Sequence, residues 1–135
     1  MRPSKGTSGY LLDTNVIVNS AISPEKLGKN TKRILTEKPT IYFSPISITE
    51  IEIKVLTGKI PQLKNVIADL RDQDFIEKPF QSSHAAEIKS FPTLINHDPY
   101  DRMLLAQAQS ENLTFITTDR VLLSLSLPWV IDASE

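Results

Sequence analysis

Aspartates stand just after two apolar, strand-like segments of this sequence. Asp13 directly follows residues 10–12, and Asp119 follows residues 113–117 after one intervening residue. Two carboxylates about 4 Å apart repel by roughly 4 kcal/mol at an effective dielectric constant of about 20, and a bound cation relieves that repulsion. Oxygen ligands of this kind select Mg²⁺ or Mn²⁺. The pattern predicts a divalent metal site, whereas the simpler alternative is that Asp13 only caps the turn that follows it.

A second acidic segment carries Asp98 and Asp101 three residues apart. Asp98 precedes Pro99, where an aspartate accepts hydrogen bonds from the N–H groups of a new helix, so we interpret Asp98 mainly as a helix cap. Asp101 then lies in the first turn, where the helix dipole favours an ionised carboxylate. We interpret Asp101 as a metal ligand, the alternative being simple compensation of the dipole. Arg102 could brace one of these acids or contact a phosphate.

The helix predicted over residues 46–57 offers Glu50 and Glu52 as a further ligand. Its apolar residues point on average closer to Glu52 than to Glu50, but half of the helix is apolar and that direction is poorly defined. Periodicity therefore leaves the choice between the two glutamates open. For Glu50, an ion pair with Lys54 one turn later is the alternative, and such a surface pair is worth only about 0.2–0.5 kcal/mol.

The other side chains with reactive groups predict no different type of active site. His84 and His97 lie far apart without metal-ligand spacing. We expect an ordinary helical residue at His84, and we expect His97 to be structural, although it borders the acidic segment and could contact substrate. The four glycines are scattered, so no phosphate-binding loop is present. The absence of cysteine excludes disulfides, thiolate nucleophiles and cysteine-ligated metals.

The elements that must position these acids alternate between strands and helices. Strands are predicted at residues 10–12, 40–43, 75–77, 113–117 and 129–131. Helices are predicted at residues 30–38, 46–57, 62–72, 82–90 and 99–111, with Ser82 or Ser83 as the cap of the fourth. This order predicts an α/β fold with a mainly parallel sheet covered by helices on both faces. Such sheets bind ligands beyond the carboxyl ends of their strands, where the acids stand.

The length and composition predict a single folded unit. The chain has 135 residues, of which 40% are hydrophobic and 23% are charged. We expect a flexible tail over residues 1–9 and one domain over residues 10–135. Because no segment has the length and apolarity of a signal peptide or a membrane span, we expect a cytoplasmic protein that does not contact a membrane.

Four acidic blocks follow one another along the chain. They are Tyr10-Leu-Leu-Asp13-Thr-Asn-Val16, Ser47-Ile-Thr-Glu50-Ile-Glu-Ile-Lys54, His97-Asp-Pro-Tyr-Asp101-Arg-Met-Leu-Leu-Ala-Gln-Ala108 and Thr114-Phe-Ile-Thr-Thr-Asp119. Together they resemble the PIN domain, and within that family the chain is similar to the VapC-type toxins of bacterial toxin–antitoxin pairs. Each block alone is a weak signal, whereas four blocks at fitting spacing form a strong one.

The resemblance implies a three-layer α/β/α sandwich with a mainly parallel central sheet, and cleavage of RNA that depends on Mg²⁺ or Mn²⁺. Asp13, Glu50, Asp101 and Asp119 match the family's acidic quartet, which would be both catalytic and metal-binding. Glu50 is preferred to Glu52 because Glu50 stands at the glutamate of the family motif. The resemblance also implies a cognate small antitoxin and a homodimer as partners.

Several neighbours of the quartet complete the expected site. Thr14, Asn15 and Thr117 match positions beside the acids and could hydrogen-bond to them, with Asp98 and Arg102 nearby. Two other functions remain as alternatives. A metal-dependent phosphatase of the haloacid-dehalogenase type would need a second aspartate where Asn15 stands. A binding protein would form the antitoxin complex and keep the acids as a remnant.

The charge balance is compatible with an RNA substrate. The formal net charge of −1 argues at first against binding nucleic acid by bulk charge. That average includes five acids assigned to the site. They are Asp13, Glu50, Asp98, Asp101 and Asp119, and without them 11 acidic residues face 15 basic ones, a balance of +4. The surface outside a metal-neutralised site would therefore be mildly basic.

Overall fold

A computed structural model describes residues 8–135, which form a central sheet between layers of helices. Within this range, the five strands are β1 (Tyr10–Leu12), β2 (Ile41–Phe43), β3 (Ile76–Glu77), β4 (Thr114–Thr117) and β5 (Val130–Asp132). The α-helices are α1 (Thr14–Ile22), α2 (Lys29–Glu37), α3 (Pro45–Leu56), α4 (Val66–Asp72), α5 (Ser82–Ala86), α6 (Pro99–Ser110) and α7 (Arg120–Leu123).

All neighbouring strands run parallel, in the order β3-β2-β1-β4-β5. The central strand β1 pairs Tyr10 with Ile41 of β2 and Leu12 with Ile116 of β4. After β1 the chain builds one side of the sheet outward and then crosses over to build the other side. The strand order therefore reverses between β1 and β4, and ligands of open parallel sheets bind at the carboxyl ends beside such a point.

Helices pack on both faces of this sheet, because successive side chains of a strand point to opposite faces. Leu12 and Ile116 lie in one core, while Leu11 and Phe115 lie in the other. The helical residues of the first core include Val16, Ile34, Ile51 and Leu70, and those of the second include Leu104, Leu105 and Leu122. The predicted three-layer α/β/α sandwich is confirmed.

Helices α3 and α6 begin where the sequence predicts, because their caps are local. Ser44 Oγ accepts from the N–H group two residues later at 3.1 Å, and Asp98 Oδ1 does the same at 2.8 Å. A proline follows each cap at the first helical position. Gly58 beyond α3 and Asn112 beyond α6 take the left-handed conformation, with φ of 75° and 57°. Both helix ends follow from residues that favour this conformation.

Helix α1 has no counterpart among the predicted elements. Its centre contains the β-branched residues Val16, Ile17 and Val18, which favour a strand. Asp13 nevertheless caps the helix, since its Oδ1 accepts from the Thr14 N–H at 2.7 Å. The three apolar side chains are buried in the first core. Tertiary packing thus overrides the local preference, and the short helix α7 is likewise absent from the sequence-based prediction.

Two predicted helices are shorter in the structure. Helix α4 begins at Val66 rather than at residue 62, because Asn65 before it has a left-handed backbone with φ of 47°. Helix α5 ends at Ala86 and continues as a 3₁₀ turn over Glu87–Ser90. Neither serine proposed as the cap of α5 has that position, which belongs to Gln81.

His84 is a buried structural residue. Its Nδ1 accepts from the Gln81 N–H at 2.9 Å, so Nε2 carries the proton and donates to Glu111 Oε2 at 2.7 Å. Glu111 also pairs with Lys78 Nζ at 3.4 Å, and that ammonium lies 4.3 Å from the ring centre of Tyr42. His84 therefore joins α5 to the end of α6. The expectation of an ordinary helical position understates its burial.

The beginning of the chain is described only in part. The predicted tail covers residues 1–9, of which residues 1–7 lie outside the described range. The Ser8 N–H donates to the Asn112 carbonyl at 2.9 Å, and Gly9 has φ of 135° in a place where a Cβ would come within 2.7 Å of the Thr40 carbonyl. The division into a tail and one domain stays a prediction. No helix in the described range is long and apolar enough to span a membrane.

Candidate metal centre

Asp13 lies at the carboxyl end of β1, beside the point where the strand order reverses. Its side chain is buried, and its two oxygens accept from the Thr14 N–H at 2.7 Å and from the Thr117 hydroxyl at 2.6 Å. Burial raises the pKa of Asp13 to about 7, and the charges of Glu50 and Asp119 add to the rise, while the two hydrogen bonds oppose it. Asp13 therefore caps the turn that follows it, as the simpler alternative states, and it also interacts with the charges of other acidic residues.

Thr117 connects the ends of β1 and β4. Its hydroxyl donates to Asp13 Oδ2 at 2.6 Å and accepts from the Asp119 N–H at 2.9 Å. The side chain is fully buried, so water does not compete for these bonds. One hydroxyl thus sets the separation between the two aspartates that follow neighbouring strands.

Asp119 caps helix α7 and keeps one oxygen for the site. Its Oδ1 accepts from the N–H groups of Val121 and Leu122 at 2.8 and 3.0 Å. Its Oδ2 lies on the other side, 3.4 Å from His97 Nε2. The backbone N–H of Asp119 also donates to the Thr117 hydroxyl, so both the backbone and the side chain of Asp119 are held in place.

Helix α6 brings two acids to the same edge of the sheet, and the predicted helix cap is confirmed for Asp98. Asp98 caps the helix, as described above, and Asp101 in the first turn is buried. Burial raises the pKa of Asp101 to about 9, and the negative charges of Asp13 and Asp119 contribute next. An acid surrounded by acids is the arrangement that a cation would stabilise.

Of the two candidate glutamates, Glu50 is buried and Glu52 is exposed. Glu50 Oε2 pairs with Lys54 Nζ at 3.1 Å, so the ion pair considered as an alternative does form. Glu50 Oε1 is buried without a hydrogen-bond partner. The charge of Glu50 also raises the pKa of both Asp13 and Asp101, which lie close by.

Comparisons with known proteins identify the family of this chain. The sequence profile of the PIN domain matches residues 10–126. The chain belongs to the PIN domain family. The resemblance inferred from the four acidic blocks is thereby confirmed. Among curated protein sequences, none matches the chain.

Solved structures share the fold of this PIN domain at low sequence identity. The VapBC2 complex of Rickettsia felis bound to a fragment of promoter DNA matches with a TM-score of 0.65 and 19% identity, over 92% of this chain and 96% of the other. A toxin–antitoxin complex from Klebsiella pneumoniae matches with a TM-score of 0.64 and 18% identity, over 90% of this chain and 95% of the other. DNA-bound VapBC from Salmonella typhimurium matches with a TM-score of 0.63 and 18% identity, over 92% of this chain and 97% of the other.

His97 is the member of the PIN domain's polar cluster that sequence reasoning set aside. Its Nε2 lies 3.0 Å from Asp101 Oδ2 and 3.4 Å from Asp119 Oδ2. The sequence feature that could have identified His97 as a neighbour of the acids is its position directly before Asp98. A residue before this helix cap lies at the same end of the helix as Asp101. His97 thus lies within hydrogen-bonding distance of the acidic cluster that it was expected only to border.

The expected neighbours of the acids differ in how directly they contact them. Thr117 bonds to Asp13 as predicted, and Asn15 Nδ2 lies 3.4 Å from the same carboxylate. Thr14 contacts Asp13 only through its backbone N–H, because its hydroxyl donates to Ser47 Oγ at 3.0 Å. This bond ties α1 to α3.

Arg102 does not brace an acid as the sequence suggested. Within residues 8–135 it forms no ion pair, and its Nε is buried without a hydrogen-bond partner. A contact with phosphate stays a prediction for this side chain.

The donor set of this PIN domain fits Mg²⁺ or Mn²⁺. The oxygens come from four carboxylates on four separate chain segments, and one of those oxygens, Glu50 Oε1, is buried without a partner. Carboxylates with room for water are the usual ligands of both ions. Among the described residues, Lys54 is the only lysine or arginine within 4.0 Å of any of these carboxylates. A cation at this edge of the sheet would offset the remaining negative charge.

Proposed function

We propose that this PIN domain is a Mg²⁺- or Mn²⁺-dependent endoribonuclease that hydrolyses RNA phosphodiester bonds and acts as the toxin of a toxin–antitoxin pair. Members of the PIN family are nucleases, which supports a hydrolase. The observation that carries the proposal is the convergence of Asp13, Glu50, Asp101 and Asp119 beside the reversal in strand order. Burying several carboxylates together lowers the stability of the fold. A metal site that hydrolyses phosphodiester bonds would give this costly cluster a function.

The four carboxylates would hold the ion. When bound, such an ion lowers the pKa of water and stabilises the charge that develops on a phosphate. Thr117 and the Thr14 N–H donate to Asp13 and favour its ionised form, which is the form that binds a cation. Asp119 is oriented by its bonds to α7, so one oxygen remains directed to the site. One of the four carboxylates would accept the proton of the attacking water.

Thr117 gives a test of how the site is positioned. Thr117→Val keeps the shape of the side chain but removes the donor to Asp13 and the acceptor for Asp119. We expect the affinity for Mn²⁺, measured by calorimetry, to fall by about 10- to 100-fold. Thr117→Ser retains the hydroxyl and should bind Mn²⁺ nearly as well as the wild type. Equal affinities for the valine and serine variants would show that the hydroxyl does not support the site.

The nuclease activity is tested with purified protein and labelled substrates. We expect cleavage of single-stranded or looped RNA in Mn²⁺ or Mg²⁺, because small ribonucleases reach unstacked bases most easily. The activity should disappear with EDTA and in Asp13→Asn. Single-stranded DNA and p-nitrophenyl phosphate serve as comparison substrates, and hydrolysis of the latter alone would favour the phosphatase alternative. Undiminished RNA cleavage by a folded Asp13→Asn variant would contradict the assignment of the site.

The toxin assignment is supported by the shared fold, since the similar chains come from toxin–antitoxin complexes. We propose a small DNA-binding antitoxin as partner, encoded by a short reading frame directly upstream, and a homodimer of this chain. Co-expression with the product of that reading frame should give a stable complex that no longer cleaves RNA. Loss of growth inhibition upon co-expression is the cellular readout. A chain that binds this partner but binds no metal in calorimetry would instead be the interaction protein considered above.

A further inference from the structure

The imidazole of His97 occupies a position among the carboxylates that the proposed activity leaves without a role. Its Nε2, an oxygen of Asp101 and an oxygen of Asp119 all lie within 4.8 Å of one another. The side chains of these residues are 21%, 12% and 20% exposed, in the order given. They are thus mostly withdrawn from solvent, while an ion could still reach them.

The separations suit three ligands of one ion. Mg²⁺ and Mn²⁺ prefer six ligands in an octahedron, and bonds of about 2.1 Å place adjacent ligands about 3.0 Å apart. Nε2 of His97 lies 3.0 Å from the Asp101 oxygen and 3.4 Å from the Asp119 oxygen. Both separations are close to that edge length, so a small change in side-chain position would allow all three atoms to bind the same ion.

Each of the three ligand atoms is held by a different backbone anchor. The His97 N–H donates to the carbonyl of Leu94, which is itself buried in the second core. Asp101 lies on α6 directly after the helix cap, and Asp119 is fixed by its bonds to α7. Ligands that are anchored before the ion arrives lose little freedom on binding, which favours a metal site.

A second observation points to a cation near these atoms. Glu50 is close enough to Asp101 to act on it electrostatically, and its Oε1 is buried without a hydrogen-bond partner. Lys54 neutralises only one oxygen of Glu50. The negative charge around Asp101 therefore exceeds the positive charge that the described side chains supply.

We propose that His97 is a nitrogen ligand of the catalytic ion, together with Asp101 and Asp119, and that it shifts the preference of the site from Mg²⁺ toward transition-metal ions such as Mn²⁺. This inference rests on the proposed nuclease function and specifies the ligands of its ion. Imidazole nitrogen is a better ligand for transition metals than for Mg²⁺, which binds oxygen. The ring binds through Nε2 in its neutral form, with the proton on Nδ1.

The direct test is pulsed electron paramagnetic resonance of the full chain loaded with Mn²⁺. A bound imidazole produces nitrogen modulation of the electron spin echo, and labelling histidine with ¹⁵N changes that pattern. The chain has two histidines, and both nitrogens of His84 are already hydrogen-bonded. We therefore expect the signal in the wild type and its loss in His97→Gln, whose side chain offers an oxygen at a similar reach.

The metal preference gives an independent measurement. In His97→Gln we expect the ratio of the Mg²⁺ to the Mn²⁺ dissociation constant to fall by about tenfold, within the range seen when groups at a metal site are replaced. Asp72→Asn is the control, because it changes an exposed residue at the end of α4, outside the acidic cluster, and should keep both the nitrogen signal and the metal preference.

The outcomes separate this inference from the proposed function. Stoichiometric Mn²⁺ binding and RNA cleavage without nitrogen modulation would overturn the ligand assignment alone. Slower cleavage by His97→Gln with unchanged metal preference would also overturn it, and would assign His97 to the phosphate of the substrate. A wild-type protein that binds no Mn²⁺ would overturn both the ligand assignment and the nuclease proposal.

Discussion

Replacing Asp101 with asparagine is expected to slow RNA cleavage strongly and, at the same time, to raise the melting temperature of the metal-free protein. The substitution removes one of the proposed metal ligands. We expect cleavage to slow by about 10²- to 10³-fold, the range found when one group that stabilises transition-state charge is lost. Asparagine retains an oxygen that can accept from His97 Nε2, so the local contacts survive.

The gain in stability follows from the pKa of the carboxyl that is removed. Burial, and then the charges of Asp13 and Asp119, raise the pKa of Asp101 from 3.8 to about 9. At pH 8 the unfolded chain ionises this group whereas the folded protein keeps it largely protonated, so the group works against folding when no cation is bound, and each unit of pKa shift corresponds to about 1.4 kcal/mol. Since the side chain is 12% exposed and its charge is partly screened, we expect a gain of about 1–3 kcal/mol, or roughly 3–10 °C for a domain of this size.

Asp72→Asn is the control for this experiment. It makes the same chemical change at an exposed residue at the end of α4, outside the acidic cluster. Its melting temperature and its cleavage rate should stay close to those of the wild type. A lower melting temperature for Asp101→Asn, or equal cleavage rates for the two variants, would contradict the role assigned to Asp101.

The metal-free protein is also expected to lose stability as the pH rises from about 4 to about 9. The pKa values of Asp13 and Asp101 are raised in the folded state, to about 7 and about 9, from 3.8 when unfolded. The folded protein therefore binds more protons than the unfolded chain between these values, and stability falls with increasing pH. The stabilising contribution is complete below about pH 4 and is lost as the pH passes through 7 and then 9.

Other shifted groups do not reverse this trend. The pKa values of Glu87, Glu111 and Asp132 are lowered in the folded state. Their stabilising contribution is present above their unfolded values and is lost only as the pH falls below them. It is therefore nearly constant from pH 5 to pH 9, where the two aspartates act.

The measurement is thermal unfolding at several pH values between 5 and 9, with EDTA and with saturating Mn²⁺. Without metal, the melting temperature should decline across the series. With Mn²⁺, the bound ion favours the ionised carboxylates, so the decline should become shallow or disappear, and binding should release protons that calorimetry detects in buffers of different ionisation enthalpy. A metal-free melting temperature that is constant or rises over this range would contradict the raised pKa values.

Much of the framework was predictable because it depends on residues close together in the chain. Ser44 and Asp98, each followed by a proline, start helices α3 and α6, and the apolar runs before Asp13 and Asp119 form β1 and β4. Caps, prolines and short apolar runs act within a few residues, so their effects can be deduced from order alone. The placement of two aspartates at one edge of a parallel sheet follows directly from these elements.

Hydrophobic periodicity left the choice between Glu50 and Glu52 open and the resemblance favoured Glu50, whereas the tertiary structure shows that Glu50 is the buried one. The buried residues of α3 are Ser47, Glu50 and Ile51, so only one of its apolar side chains is fully buried. Ser47 faces α1, where its hydroxyl accepts from Thr14. A polar stripe of this kind is invisible to hydrophobic periodicity, because that method assumes that the buried face is apolar.

The order of residues along the chain is sufficient for the strands, the two best-capped helices and the acids that follow them. The features that depend on groups distant in sequence are decided only by the tertiary structure. They are the helical state of α1, the position of the Thr117 hydroxyl between two strand ends, and the contacts of His97 with Asp101 and Asp119. Local preferences act through neighbours in sequence, whereas burial and charge act through space. The pKa values of Asp13 and Asp101 depend on burial and on distant charges, so they arise only when the three layers have assembled.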